Sequence, residues 1–518
     1  MAVFRNSKIS RNSRSAALPL LVTALLAAFS VSATAFFYSR GDLLNYGDAQ
    51  AHLNIARRVL DSRTPGWEQI GTVWLPLPHV LMLPFVQNNW LWETGLAGAI
   101  PSGLCFVLAG LLLFLAARRI FLSDAAGIAA CLLLALNPNL LYLQSLAMSE
   151  AIFMAALAAV LYFTVRFRER PSLGWAAAAG VAAAAGSLSR YEGWFLIPFV
   201  ALYLLLAGER RRWTSAIVFS VIAAAGPLFW LAHNWWYYSN ALEFYNGPYS
   251  AKAIYQRALD AGMARYPGDH DWAKAWLYFR TAVALCAGRP LVWLGVAGAL
   301  AAAYKRAFWP LALLALAPFF YVLSLYSAGT PIFVPGLEPY TYYNSRYGLA
   351  ALPLLALAGA ALVAIAPERI RRLAAVAVVI VASVAWPLYP RPDGWICWKE
   401  SRVNSEARRA WTAAAASFLR SKVEPSEGVI TSFGDLAGIF PRAGIPLRQT
   451  LHQGNGLQWA AALGRPKLFL WETWAVAFSG DRVATALDRA RLHGPRYDCV
   501  KTIVVKGAPV VKIYRRTP

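Results

Sequence analysis

Charge is scarce in this chain. Only 14% of its 518 residues are Asp, Glu, Lys or Arg, where a soluble domain carries about 25%. A chain this long with so little charge cannot clothe a water-facing surface, so a large soluble enzyme is excluded. Acid is the scarcer sign, with 26 Asp and Glu against 49 Lys and Arg. The 5 cysteines and 6 histidines are sparse, and no Cys-x-x-Cys or Cys/His spacing of a zinc site occurs. A Walker-type loop, a dinucleotide fingerprint and a Gly-x-Ser-x-Gly elbow are missing from any fitting strand-turn-helix context. That excludes a nucleotide-driven pump working from this chain alone. Identical repeats and long low-complexity linkers are also lacking.

What is abundant is apolar sequence. Hydrophobic residues make up 58% of the chain, gathered in long runs that carry the signature of membrane spans. About eleven spans are expected, over residues 16–38, 95–117, 124–142, 151–165, 172–188, 194–207, 214–232, 290–304, 307–326, 347–366 and 373–389. Alanine-rich stretches such as 176–185 read as small-residue faces for close helix approach. The first run follows Arg5, Lys8, Arg11 and Arg14. It is longer than the core of about 7–15 residues in a signal peptide and reads as a retained helix, with cleavage near Val31-Ser32-Ala33 as the alternative.

The formal charge of +23 would suit a nucleic-acid binder, but its placement says otherwise. Basic clusters at Arg118-Arg119, Arg166/Arg168/Arg170, Arg210/Arg211/Arg212, Lys305-Arg306 and Arg369/Arg371/Arg372 fall at every second span boundary. That alternation puts the N-terminus and all the clusters on the cytoplasmic side. No nucleic-acid partner is expected, and the expected location is the inner (plasma) membrane, multi-pass, with membrane lipids as neighbours. The outer segments are then 39–92, 187–193, 233–289, 327–346 and a tail from 390.

The expected fold class is a polytopic α-helical membrane protein with a small extracytoplasmic C-terminal α/β domain. Residues 1–389 form the membrane domain, with a large first outer loop at 39–92, and residues 390–518 the outer domain. In the tail, 401–420 and 481–492 read as helices, and 428–432, 467–471, 498–505 and 510–514 as strands. The tail holds 20 Lys and Arg against 10 Asp and Glu. Such a surface suits either anionic head groups or plain solvation. Cys397 and Cys499 both fall in this outer region, where a disulfide between them is possible chemistry.

The ionisable residues gather at outer span ends, while the span centres are nearly free of charge. In the first loop, Asp48 and His52 are four residues apart, hence on one face of a helix. They could share proton transfer or hold a cation, or Asp48 could simply cap a helix. His79, in the Trp/Pro-rich stretch that follows, reads as an interface residue. Glu150 opens a span, where it could act in a site or only complement the helix dipole. The turn Ser189-Arg190-Tyr191-Glu192-Gly193-Trp194 combines an arginine, an acid and aromatics, and Ser345-Arg346-Tyr347 repeats the Arg-Tyr pair at the same depth. Arginine forks receive phosphate well, and snorkelling anchors are the alternative.

These residues, together with Gly47-Asp48-Ala49-Gln50-Ala51-His52 and Trp74-Leu75-Pro76-Leu77-Pro78-His79, resemble the GT-C superfamily of membrane glycosyltransferases. The likeness is to the group that includes protein mannosyltransferases and the aminoarabinose transferase of lipid A. It implies transfer of a sugar from a polyprenyl-phosphate donor to a lipid, glycan or protein acceptor on the outer face. By that resemblance Asp48 matches the acid of the first loop, a catalytic base or metal-associated group, and Glu150 a second acid. Arg190 and Arg346, with Tyr191 and Tyr347, become candidate donor-phosphate ligands, and His52, His79 and Glu192 candidate supporting residues. Many relatives carry two adjacent acids where this chain has Asp48-Ala49. The cofactor is therefore left open: a divalent metal ion, if used, has Asp48 and His52 as its candidates. A lipid or glycan transporter and a non-catalytic membrane scaffold are the competing classes. The first needs polarity at mid-membrane, and the second predicts no cavity joining Asp48, Glu150 and the arginines.

Overall fold

Apolar runs without a breaker fold as single long helices. In the computed structural model, which describes residues 14–208, 211–388 and 393–517, seven helices are long and apolar enough to cross a membrane. They are Ala17–Ser39, Leu96–Ile120, Glu150–Glu169, Arg212–Tyr238, Phe308–Tyr326, Ser345–Ile365 and Glu368–Leu388. The protein is a multi-pass membrane protein. The other four expected spans are helical but shorter: Asp124–Ala135, Leu173–Ser187, Glu192–Ala207 and Arg289–Tyr304, of 12 to 16 residues. The span expected at 124–142 breaks because Asn137 turns its side chain onto the amides of Asn139 and Leu140 and Pro138 opens a new helix. Arg5, Lys8, Arg11, Arg210 and the expected domain boundary at 389/390 lie outside the described residues.

Residues 233–289, expected as an outer loop, also contain the helix Trp272–Ala287. It meets Arg289–Tyr304 at a bend of 107°, where Pro290 starts the second helix with no N–H to satisfy.

Packing shows which helix ends belong together. Gly98 sits against Ala147, so that a Cβ on Gly98 would fall 2.2 Å from the Ala147 Cβ. At the far ends of Leu96–Ile120 and Glu150–Glu169, Arg119 Nη1 lies 2.7 Å from Glu169 Oε2, and Arg166 Nε lies 3.4 Å from it. The basic clusters at 118–119 and 166–170 thus share one end of the bundle. Glu150 lies at the other end, about 30 Å away along a helix rising about 1.5 Å per residue.

The tail forms a five-stranded sheet: β1 (Val429–Thr431), β2 (Thr450–Leu451), β3 (Trp474–Phe478), β4 (Tyr497–Ile503) and β5 (Val511–Arg516). The strand order is β2-β1-β3-β5-β4. β1 runs parallel to β2 and β3, and β5 runs antiparallel to β3 and β4. The central strands are apolar because both faces are covered: β1 is wholly buried, and so is β3 up to Ala477. Helices Ile396–Arg420 and Arg482–His493 match the expected pair. The strand expected at 467–471 is not formed. Pro466 opens a short helix, Pro466–Phe469, and the strand follows at β3.

Val429 and Trp474 of the sheet belong to the same buried apolar cluster as Leu143 and Leu352 of the membrane helices, so the tail is welded to the bundle rather than tethered. Cys397 is buried at this junction, its Sγ 3.9 Å from that of Cys286. Cys499 is exposed on β4. The pairing of Cys397 with Cys499 is therefore not made.

Candidate active site

Four segments distant in sequence converge at the bundle end away from the arginine clusters. Asp48 stands in the first turn of helix Gly47–Arg58, and the capping position before it is Tyr46. Asp48 is therefore not a helix cap. Its side chain keeps 39% of its surface exposed. Glu150 is the first residue of Glu150–Glu169 and is buried. Arg190 occupies the tight turn between Leu173–Ser187 and Glu192–Ala207. That turn closes because Gly193 abuts backbone: a Cβ there would lie 2.5 Å from the carbonyl carbon of Gly186. Arg346 sits on the 3-10 turn Ser345–Ala351, brought in by Gly348 against Ala282.

The two arginines thread the acids into one chain. Arg346 donates from Nη2 to Asp48 Oδ2 at 2.5 Å and from Nε to Glu150 Oε1 at 3.2 Å, and its Nη1 lies 3.8 Å from Glu400 Oε1. Arg190 donates to the same Glu150 oxygen at 3.1 Å, to Glu192 Oε1 at 2.5 Å and to Ser149 Oγ at 2.7 Å. It also bonds the hydroxyl of Tyr321, which itself donates to Glu192 at 2.8 Å. Tyr347 lies beneath both guanidinium groups, 5.1 Å and 5.3 Å from ring centroid to Cζ, and stacks on Tyr321. A narrow cavity opens between Glu150, Arg190, Arg346 and Tyr347 and is walled by Phe153 and Met154.

The expected phosphate-binding arginines are thus already occupied by carboxylates. Four acids (Asp48, Glu150, Glu192 and Glu400) meet two guanidinium groups. Three of these acids are nearly sealed, with side chains 6%, 4% and 1% exposed for Glu150, Glu192 and Glu400. Asp48 is the open one. Glu150 Oε2 is buried and has no hydrogen-bond partner among the described residues. Burial pushes the Glu400 carboxyl above its ordinary range, opposed by Arg346.

Other expected members lie apart. Tyr191 donates to the Val73 carbonyl at 2.7 Å and stacks on Phe244, so it braces the first loop instead of facing the arginines. His52 and His79 pair with each other, Nδ1 to Nε2 at 2.8 Å, beside Trp74. Burial lowers the His52 imidazole to about 4, against the pull of Asp48 and Glu150. A neutral pair of this kind shares one N–H between two rings. In this structure His52 is paired with His79 and Asp48 with Arg346. Among the described residues no group of three His, Cys, Asp or Glu is placed to hold a metal ion. Glu400, Tyr321 and Tyr46, whose ring centroid lies 5.0 Å from the Arg346 Cζ, are the members that sequence reasoning missed. Glu400 lies on the buried stripe of helix Ile396–Arg420 with Cys397 and Ser401, and an acid on such a stripe was the available signal.

A family model described as dolichyl-phosphate-mannose-protein mannosyltransferase matches residues 91–237. That segment holds Glu150 and Arg190 but not Asp48 or Arg346. By sequence, no curated protein matches the chain. Among solved structures, ArnT from Cupriavidus metallidurans bound to undecaprenyl phosphate superposes with a TM-score of 0.57 at 16% identity, over 95% of this chain and 98% of that one. The chain shares the fold of that ArnT. The apo state of the same ArnT gives a TM-score of 0.55 at 17% identity, over 97% and 98% of the two chains. The Archaeoglobus fulgidus oligosaccharyltransferase lies further off, at a TM-score of 0.47 and 13% identity over 88% and 68%. The likeness to ArnT covers 95% of this chain, so it extends into the tail and is not confined to the membrane helices.

Proposed function

We propose that this protein is a glycosyltransferase that moves a sugar from a polyprenyl-phosphate donor to a lipid, glycan or protein acceptor on the extracytoplasmic face. The observation that carries this reading is the chain Asp48–Arg346–Glu150–Arg190 at the head of an apolar-walled cavity in a GT-C fold. A polyprenyl phosphate has that duality, a charged head on an apolar body. The ligand of the ArnT structure, undecaprenyl phosphate, and the donor in the family model's description belong to the same chemical class. The positive-inside rule turns the arginine-rich end to the cytoplasm and the site outward. A transporter would place ionisable groups near mid-membrane, whereas these groups cluster at one end.

In this mechanism Asp48, the exposed carboxylate, takes the proton of the acceptor hydroxyl as its oxygen attacks the anomeric carbon. The bond from that carbon to the phosphate oxygen breaks, and the charge left on the phosphate faces Arg346 and Arg190. Because Arg346 already holds Asp48, the arriving phosphate shares that guanidinium with the base. This coupling keeps Asp48 aimed before the acceptor arrives. Glu150 orients both arginines, and its free Oε2 is left to accept from a donor hydroxyl. Residues 1–389 carry the reaction, and 390–518 close its outer side and add Glu400. A single displacement of this form inverts the anomeric centre.

The test is incubation of the purified chain with a panel of polyprenyl-phosphate sugars and candidate acceptors, reading donor consumption. Release of free polyprenyl phosphate from one donor is the expected result. Transbilayer movement of an intact donor, without cleavage, would overturn the assignment in favour of transport.

A further inference from the structure

One edge of the tail shows large apolar side chains to the outside. Within residues 456–471, Leu457, Leu468, Phe469 and Trp471 are exposed, and Leu457 is 89% exposed. The stretch contains no Asp or Glu, and its two charges, Arg465 and Lys467, are basic and exposed. Helix Gly456–Gly464 is anchored by Trp459 and Ala462, which are buried in an apolar cluster with Ile430 and Ala475 of the sheet. Leu457, Ala460, Ala461 and Gly464 lie on its opposite face, by the turn of about 3.6 residues, and carry no charge.

The first loop sets the depth of this face. Helix Arg212–Tyr238 is long and apolar enough to span the membrane, and Trp235 and Trp236, near its end away from Arg212, are exposed. Exposed tryptophans at a span end mark the membrane–water interface. Residues 67–71 pack on that end. His233 Nε2 lies 3.0 Å from the Gly71 carbonyl oxygen, and the Tyr238 hydroxyl donates to the Glu68 carbonyl at 3.2 Å. Gly456 in turn lies against Glu68, whose Oε1 would be 3.6 Å from a Cβ at position 456. Leu457 therefore stands at the level of Trp235, Trp236 and exposed Trp67. Because the tail is welded to the bundle, that level is fixed.

Leaving such side chains in water costs free energy, and a surface that mixes Leu, Phe and Trp with Arg and Lys suits an anionic bilayer interface. Arg516, with its Cζ 5.9 Å from the Trp471 ring centroid, adds a third base at this edge, against the acid Glu68. We propose that the 456–471 face of the tail docks on the outer leaflet of the bilayer, with Leu457 at head-group depth and Arg465 and Lys467 on the phosphates of anionic lipids. This contact is independent of the chemistry assigned to Asp48.

The test uses the full chain, one copy per nanodisc, in phosphatidylethanolamine with or without phosphatidylglycerol. A fluorophore is attached at Leu457→Cys in a Cys499→Ser background, and at native Cys499 as the reference. Cys499 lies on β4, at the sheet edge opposite β2, the strand that leads into this face. Leu457 is exposed, so its substitution leaves the fold intact. Spin-labelled lipid should quench the fluorophore at 457 more strongly than at 499, iodide should quench it less, and phosphatidylglycerol should strengthen the lipid quenching. Arg465→Gln combined with Lys467→Gln should abolish that strengthening at an unchanged thermal midpoint. Iodide quenching at 457 equal to that at 499, without lipid quenching, overturns the docking. Lipid quenching that phosphatidylglycerol does not change overturns the recognition of anionic lipid. Shielding from both quenchers only in discs loaded with two copies overturns the proposal in favour of a face between copies of this chain.

Discussion

Replacing Arg346 by Met removes the cation that three carboxylates share. Two of them, Glu150 and Glu400, are 6% and 1% exposed and lie 3.2 Å and 3.8 Å from the guanidinium. Glu150 keeps Arg190, so Glu400 is the buried carboxylate left stranded, at a cost of about 3–5 kcal/mol. The contact with Asp48 is shorter, 2.5 Å, but its acid is 39% exposed, so its loss adds about 0–1 kcal/mol. Unfolding in mild detergent, followed by tryptophan fluorescence, should therefore show Arg346→Met destabilised by about 3–5 kcal/mol. Glu400→Gln keeps an oxygen for the Ser345 amide and hydroxyl, 2.9 Å and 2.5 Å away, while discharging the acid. The double variant should accordingly be more stable than the sum of the single variants by about 1–3 kcal/mol. Strict additivity, or an Arg346→Met variant within about 0.5 kcal/mol of the parent, would refute the shared-cation account.

Three further outcomes are expected. His52 is held neutral by burial down to about 4, below its ordinary 6.5. Acidification protonates the unfolded chain first, so stability falls between those values by up to about 3 kcal/mol. His52→Asn should flatten that part of the pH–stability curve, and an unchanged slope contradicts it. Gly193→Ala places a methyl 2.5 Å from the Gly186 carbonyl carbon; it should cost about 1–3 kcal/mol and lower transfer by displacing Arg190, whereas an unchanged midpoint would remove the close approach from the argument. In intact cells a membrane-impermeant maleimide should label exposed Cys499 and leave buried Cys286 and Cys397 unlabelled until denaturation. Labelling of Cys499 only after permeabilisation would reverse the assigned orientation.

The gathering of Asp48, Glu150, Arg190 and Arg346 at one end was legible because basic clusters alternate with acidic span ends, and the clusters at 118–119 and 166–170 do meet at the end opposite Glu150. Their contacts were not legible. Asp48 and Arg346 are far apart in sequence, and nothing local announces that the arginines arrive already paired with acids. The two Arg-Tyr dipeptides look equivalent on paper, yet Tyr347 underlies the guanidinium groups while Tyr191 turns to Val73. Neighbouring side chains diverge at a tight turn, and only packing decides which one faces the site. Helix Trp272–Ala287 was hidden because Lys274 and Arg280 interrupt its apolar run. The Lys467-to-Trp471 stretch has strand-like composition, but Pro466 starts a helical turn and moves the strand to Trp474–Phe478. Glu400 is an acid on a buried helical stripe, but nothing local in the sequence ties the first helix of the tail to residues of the membrane bundle.

The most direct test of the central claim is sugar transfer by Asp48→Asn measured beside the parent with matched thermal midpoints. Asn preserves the shape of the side chain and its bond to Arg346 through its carbonyl oxygen, but it cannot take the acceptor's proton. Transfer should fall by about 10²–10⁴-fold while the donor still binds. Full turnover by that variant would contradict Asp48 as the base, and with it the account of this site.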